Sequence, residues 1–153
     1  MTTDPKLAPD ETKAKPFSRY AAMIARILLG LGFTVFGLNG FLHFIPQPKT
    51  AMPEGVAALM EGMMKSGYMF PLIFATQLLA GVLLLFNLFV PLALVLLMPV
   101  LVNIIAFHIF LQPAGIAPGA VFMVLELYLA WVYRKAYIPI LAMRAKPSSG
   151  TTQ

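Results

Sequence analysis

The sequence predicts an all-α fold, an integral membrane four-helix bundle with a short amphipathic helix between spans 1 and 2. Three observations predict it: the composition, four long apolar runs, and the brief breaks between those runs. Of the 153 residues, 59% are hydrophobic and only 11% are charged, and the mean hydropathy is +0.83. Because a soluble domain carries about 25% charged residues, this composition favours a membrane protein over a soluble protein with an unusually apolar core.

Four apolar runs are each long enough to cross the hydrocarbon core of a bilayer, which takes about 20 helical residues. They occupy residues 18–44, 69–88, 91–111 and 119–138. Ser18 is a suitable N-cap for the first run, while Pro46 and Pro48 are expected to end it. Pro99 is expected to kink the third run. The second and third runs are nearly contiguous, so we expect them to be antiparallel neighbours.

A shorter segment, residues 53–66, lies between the first two runs. Pro53 suits the first position of a helix, and Glu61 and Lys65 can form an ion pair four residues apart. The apolar residues recur at helical spacing on a different face: Val56, Leu59, Met60, Met63 and Met64. Since the segment is too short and too polar to span a bilayer, we expect an interfacial helix lying on the membrane surface.

The basic residues predict the orientation of these spans. Five lysines and arginines lie in or near the N-terminal end and four lie at the C-terminal end, whereas Lys49 and Lys65 alone lie on the opposite side. The positive-inside rule therefore places both termini in the cytoplasm. Residues 1–17 and 142–153 are polar and are expected to be flexible cytoplasmic tails, which leaves residues 18–141 as one transmembrane domain.

Six polar side chains interrupt the apolar runs, and they are candidate ligand-binding residues: Asn39, His43, Gln77, Asn103, His108 and Glu126. With a rise of about 1.5 Å per residue, all six are expected in the outward half of the membrane. Such residues face the interior of a helix bundle by default, since lipid solvates them poorly. The sequence therefore predicts a polar pocket on the outward side.

Helical angles refine this prediction. Asn39 and His43 are four residues apart and share a face, whereas Asn103 and His108 are separated by about 140° and cannot both point at one centre. Glu126 is the strongest candidate for ligand contact, because a carboxylate in lipid costs several kcal/mol unless it is paired, inward-facing or protonated. The alternative for all of these residues is structural, as hydrogen bonds that hold the helices together.

The sequence constrains the identity of a cofactor less than it constrains the fold. The chain has no cysteine, which excludes thiol catalysis, Cys-ligated iron–sulfur clusters and covalent c-type haem. Two histidines on different helices suit a b-type haem, and histidine with methionine suits Cu(I). A haem requires both histidines at matched depth and facing inward, and methionine is ordinary on the apolar face of a surface helix. Haem and copper are therefore less favoured than a quinone. We assign no metal ligand.

Several short motifs have the order and spacing of a known family. They are ARILLGLGFTVFGLNG at residues 25–40, SGYMFP at 66–71, LAG at 79–81 and NIIAFHIFLQP at 103–113. Together they resemble the DoxX family of small bacterial four-span membrane proteins, over nearly all of the chain from Arg19 to Ile138. Arg26, Gly30 and Gly37 match the first-helix pattern of that family, which implies a role in packing.

The resemblance implies an inner-membrane protein and a link to quinone chemistry. Family members are associated with a thiosulfate:quinone oxidoreductase or terminal quinol oxidase, and others with oxidative-stress membrane complexes. We therefore expect a membrane subunit or accessory of a quinone-linked redox system, whose pocket binds a quinone headgroup with Glu126 and His108 as proton-exchanging contacts. The alternative is a non-enzymatic scaffold. Expected partners are the lipid bilayer and either redox-complex subunits or further copies of the chain, with no nucleic acid. No family motif assigns catalytic residues.

Overall fold

The computed structural model describes residues 16–46 and 51–141. Every regular element within these ranges is helical, so the prediction of an all-α protein is confirmed. The predicted flexible tails lie almost wholly outside the described residues. The α-helices are α1 (Pro16–Leu42), α2 (Glu54–Lys65), α3 (Met69–Leu85), α4 (Val90–Phe110) and α5 (Ile116–Val132), with short 3-10 turns at Pro113–Gly115 and Arg134–Tyr137.

Three helical segments in the described part are long and apolar enough to cross a membrane. They are Arg19–Leu42, Val90–Phe110 and Pro113–Val132. The predicted second span is shorter, since α3 has 17 residues. It passes the same test only when it is joined to α2, from which it is bent by 89°. By length and composition the chain therefore has three candidate spans, or four when this bent pair is counted.

The first predicted span has different ends in the structure. Helix α1 begins at Pro16, two residues before the predicted Ser18. It ends at Leu42 because His43 turns into the left-handed region with φ 52°, so the helix stops before Pro46 is reached. Asn39 therefore lies in the last turn of α1, whereas His43 lies just beyond the helix, in the turn that follows it.

The last predicted span is displaced further. Helix α5 runs from Ile116 to Val132, whereas the sequence predicted residues 119–138. Pro118 precedes the predicted span, yet it lies in the first turn of α5, where its missing N–H has no partner to lose. Helix α3 also ends three residues earlier than residue 88, and α4 continues through Pro99 as one helix.

Glycines set the contact between α1 and α3. A Cβ atom on Gly37 would lie 2.7 Å from the backbone nitrogen of Leu78, and one on Gly81 would lie 2.6 Å from that of Thr34. The two backbones therefore meet directly, as small residues allow in helix pairs with little hydrophobic driving force between them. The first-helix glycines do act in packing.

Contacts at both ends fix the directions of the helices. Arg26, near the start of α1, donates to the carbonyls of Leu84 and, at 3.2 Å, Leu85, near the end of α3. A cation is favourable there because the last carbonyls of a helix lack intrahelical partners. Gly40, near the end of α1, instead faces the ring of Phe74. Helices α1 and α3 are thus antiparallel.

Helices α4 and α5 form the second antiparallel pair. The Tyr137 hydroxyl donates to the Pro91 carbonyl over 3.3 Å at one end, and Gly119 packs against Ile104 at the other. The start of α1 and the end of α5 therefore lie at the same end of the bundle, which we call the terminal end. The opposite end, where α1 and α4 finish and α3 and α5 begin, is called the cavity end.

Candidate functional site

A cavity of about 920 Å³ lies at the cavity end of the bundle. Four of the six candidate polar residues line it: Asn39, His43, Gln77 and His108. Six phenylalanines line it as well: Phe33, Phe36, Phe41, Phe70, Phe74 and Phe122. A predominantly apolar cavity with a few polar groups is the usual form of a small-molecule site.

The phenylalanines that line the cavity pack in two groups. Phe70 and Phe74 are stacked with ring centroids 5.6 Å apart, and Phe41 meets Phe74 edge-on at 5.9 Å. Phe122 packs against Phe33 at 5.5 Å across the bundle. Sequence reasoning missed these residues. The signal was present in α3, where Phe70, Phe74 and Gln77 recur on one face at helical spacing.

Helix α2 covers part of the cavity. Its Met60 and Met64, with Met52 just before the helix, contribute to the lining. Val56 is buried and anchors the helix to the bundle. Met63 and Met69, two further methionines near this end of the bundle, do not line the cavity.

Gln77 is the most deeply placed polar residue of the cavity. Its side chain is only 7% exposed, and it shares the buried face of α3 with Ala80 and Gly81, as its helical position predicted. Within the described residues it forms no side-chain hydrogen bond. Its amide is not among the fully buried groups that lack a partner, and the residue lines the cavity. The amide can therefore both donate to and accept from a ligand there.

His108 lines the cavity from the last turn of α4. Its Nδ1 lies 3.0 Å from the backbone oxygen of Gln112, and its ring rests on the backbone of Gly115. The edge of the imidazole meets the Phe107 ring at a centroid distance of 5.2 Å. These contacts hold the ring in one orientation and leave Nε2 as the nitrogen available to a ligand.

Asn39 and His43 lie together at the end of α1, and both take part in the hydrogen bonds that terminate this helix. The Asn39 side-chain oxygen accepts from the Ile45 N–H over 2.7 Å, and its backbone oxygen accepts from the His43 N–H over 2.8 Å. These bonds satisfy groups that a helix end would otherwise leave open. Asn39 therefore stabilises the helix end as well as lining the cavity.

Asn103 and Glu126 do not join the other four residues. Asn103 is exposed on the outside of α4, while His108 faces the cavity. The angular argument anticipated that the two residues would separate, and the structure shows which one faces inward. The expectation that all six polar residues meet in one place therefore holds for four of them.

Glu126 lies in the apolar core at a different depth. It is 0% exposed, and neither carboxyl oxygen has a hydrogen-bond partner among the described residues. Because α5 begins at Ile116 and not at residue 119, Glu126 lies about 15 Å from the start of the helix. That places it nearer the terminal end, whereas the sequence predicted the outward half.

Metal binding has little support in this arrangement. The described residues contain no group of three or more histidine, cysteine, aspartate or glutamate side chains that could hold a metal ion. His43 and His108 do line the same cavity. His108 is tied to Gln112 through Nδ1, and no carboxylate accompanies either ring.

The fold and the cavity together define a class of protein. It is an all-helical protein with three or four helices of membrane-spanning length and an aromatic, partly polar cavity at one end of the bundle. The chain matches no protein-family model, no curated protein and no solved structure. The resemblance to the DoxX family therefore stays a prediction.

Proposed function

We propose that this chain is a multi-pass inner-membrane protein that serves a quinone-linked redox system and binds a quinone headgroup in the cavity. The observation that carries the proposal is Gln77, whose carboxamide forms no side-chain hydrogen bond among the described residues and which lines a cavity of about 920 Å³ beside six phenylalanines. The sequence resemblance to the DoxX family supports the same role.

Insertion in a membrane is supported by the outer surface of the bundle. Large apolar side chains stand exposed on every long helix, for example Leu31, Leu79, Val95 and Val124, each more than half exposed. A soluble monomer rarely exposes a continuous apolar surface of this extent. If α3 crosses the bilayer, the 89° bend sets α2 along the membrane surface, in agreement with an interfacial helix.

The charges favour one orientation of this bundle. The cavity end carries Lys65, which is paired with Glu61 over 2.6 Å. The terminal end carries Arg19, Arg134 and Lys135, all exposed. The positive-inside rule then directs the terminal end to the cytoplasm and the cavity to the outer side.

A quinone suits the chemistry of the cavity wall. A planar ring can stack on Phe70 and Phe74 or meet their edges, which are favourable aromatic geometries. A ring carbonyl can accept from the amide of Gln77, which then gains the partner it lacks. The apolar tail would leave past the methionine side chains of α2, which adapt to varied shapes.

A paired substitution tests this proposal. The protein purified in nanodiscs would be titrated with a short-chain ubiquinone, with empty nanodiscs correcting for partition into lipid. Gln77→Leu removes the buried amide at similar volume, so we expect affinity to fall by about fivefold to tenfold. Asn103→Leu makes the matching change outside the cavity and should leave affinity unchanged.

Two results would overturn the proposal. The first is a wild-type protein that binds no quinone and yields none on solvent extraction. The second is an equal effect of Gln77→Leu and Asn103→Leu. If quinone binding is absent while companion proteins co-purify without crosslinker, the scaffold function takes its place.

A further inference from the structure

The hydrogen bond of His108 determines which ring nitrogen carries the proton. Nδ1 lies 3.0 Å from the backbone carbonyl oxygen of Gln112. A carbonyl oxygen can only accept a hydrogen bond, so Nδ1 must be the donor. In a neutral imidazole the other nitrogen, Nε2, is then an acceptor with a free lone pair. The backbone therefore fixes the tautomer of a ring that lines the cavity.

The surrounding contacts keep the ring in that state. The imidazole packs over Gly115, where a Cβ atom would lie 2.8 Å from Nδ1. It also meets Phe107 at its edge. A flip of the ring by half a turn would exchange Nδ1 with Cδ2, so it would lose the bond to the Gln112 oxygen and would have to pass through this packed position. The bond to Gln112 and the packing over Gly115 thus restrain the ring, and Nε2 is the ring nitrogen without a hydrogen bond among the described residues.

An acceptor discriminates between ligands that otherwise have the same shape. A ring hydroxyl donates to Nε2, whereas a ring carbonyl or ether would place two lone pairs against each other. Leaving a polar group unpaired, or opposing two acceptors, is an effective way for a site to reject a near-isostere. Gln77 does not discriminate in this way, because its amide both donates and accepts.

We infer that His108 makes the cavity selective for aromatic ligands that carry a hydroxyl group, so that phenols and quinols bind more tightly than the corresponding ethers and quinones. The inference rests on the proposed function, because it requires that an aromatic ring enters the cavity. It also specifies the redox state of the ligand: His108 binds the reduced form, the quinol, more tightly than the quinone.

Three bicyclic aromatic probes of similar shape test the selectivity, in buffer without added oxidant or reductant. They are 1-naphthol, 1-methoxynaphthalene and 1,4-naphthoquinone, titrated into the full chain in nanodiscs with empty nanodiscs as the partition control. We expect 1-naphthol to bind about fivefold to tenfold more tightly than its methyl ether, the factor of one net hydrogen bond. The quinone should also bind less tightly than 1-naphthol.

Variants assign the effect to one residue. His108→Phe keeps a ring but removes the acceptor, so the difference between 1-naphthol and its ether should disappear. Asn103→Leu, outside the cavity, should preserve the difference. His108→Gln serves if the phenylalanine variant does not fold; since its amide also donates, the preference for 1-naphthol over the quinone should narrow.

The outcomes separate this inference from the proposed function. If the wild-type protein binds all three probes equally, the selectivity is refuted while ring binding stands. If the preference persists in His108→Phe, or does not narrow in His108→Gln where that variant replaces it, His108 is not the acceptor and the inference fails. If none of the probes binds, the proposed function fails with it.

Discussion

The imidazole of His108 lies directly over Gly115, at a position where any side chain would collide with the ring. Gly115 has φ −96°, a conformation that alanine adopts without strain. Gly115→Ala should therefore act through the collision alone, displacing the ring from Gln112 and abolishing the preference for hydroxyl-bearing ligands. The ¹⁵N chemical shifts of the His108 ring would measure the loss of the fixed tautomer.

The control for this change is Gly62→Ala, because a Cβ atom on Gly62 has nothing within 4 Å. It should leave both the ring shifts and the ligand preference unchanged. If Gly115→Ala has no effect on either quantity, Gly115 is not what positions His108.

Gly81 and Gly62 make a matched pair for stability. A Cβ atom on Gly81 would lie 2.6 Å from the Thr34 backbone nitrogen, and backbone cannot move aside as a side chain can. We expect Gly81→Ala to lower the free energy of unfolding by about 1–3 kcal/mol, as overpacking does. Gly62→Ala should raise it by up to about 1 kcal/mol through helix propensity. Reversible unfolding in mixed micelles measures both, and equal effects would contradict direct backbone contact between α1 and α3.

Replacing Glu126 with an uncharged residue of similar size should have little effect on the free energy of unfolding. The described core offers its carboxyl neither a cation nor a hydrogen-bond donor, and an isolated charge is very costly in such surroundings. Glu126→Gln should change the free energy of unfolding by less than about 1 kcal/mol, because one unpartnered polar group replaces another. Glu126→Lys should prevent folding, since it forces a charge into the core.

Ligand binding gives a separate test of Glu126. Because Glu126 lies outside the cavity lining, Glu126→Gln should leave quinone affinity within about twofold of wild type, which is below the effect of one net hydrogen bond. A loss as large as that of Gln77→Leu would show that Glu126 belongs to the binding site after all.

The absence of cysteine from the sequence makes the orientation easy to test. Lys65→Cys and Lys135→Cys each introduce one thiol at an exposed lysine, one at each end of the bundle. In intact spheroplasts, a membrane-impermeant maleimide should label Cys only in the Lys65 variant, because that end faces outward under the positive-inside rule. Labelling of the Lys135 variant alone would invert the topology, and labelling of both would contradict an even number of crossings.

The hydrophobic runs predicted the helices because many apolar residues support each assignment. Misjudging one residue of a run does not change that assignment. Their ends were less predictable. Pro118 precedes the predicted span but lies in the first turn of α5, and His43 ended α1 before Pro46 did. Each boundary depends on one or two residues whose local preferences allow two outcomes.

The composition and periodicity of this chain by themselves determined an all-helical protein with apolar helices of membrane-spanning length. Tertiary structure decided which of the polar residues share a site. Asn39, His43, Gln77 and His108 came together, whereas Glu126 lies in the core nearer the terminal end and Asn103 is exposed on α4. The physical reason is that sequence spacing fixes positions only within one helix, at about 1.5 Å of depth and 100° of rotation per residue. Which side chains of different helices meet depends on how those helices pack against one another.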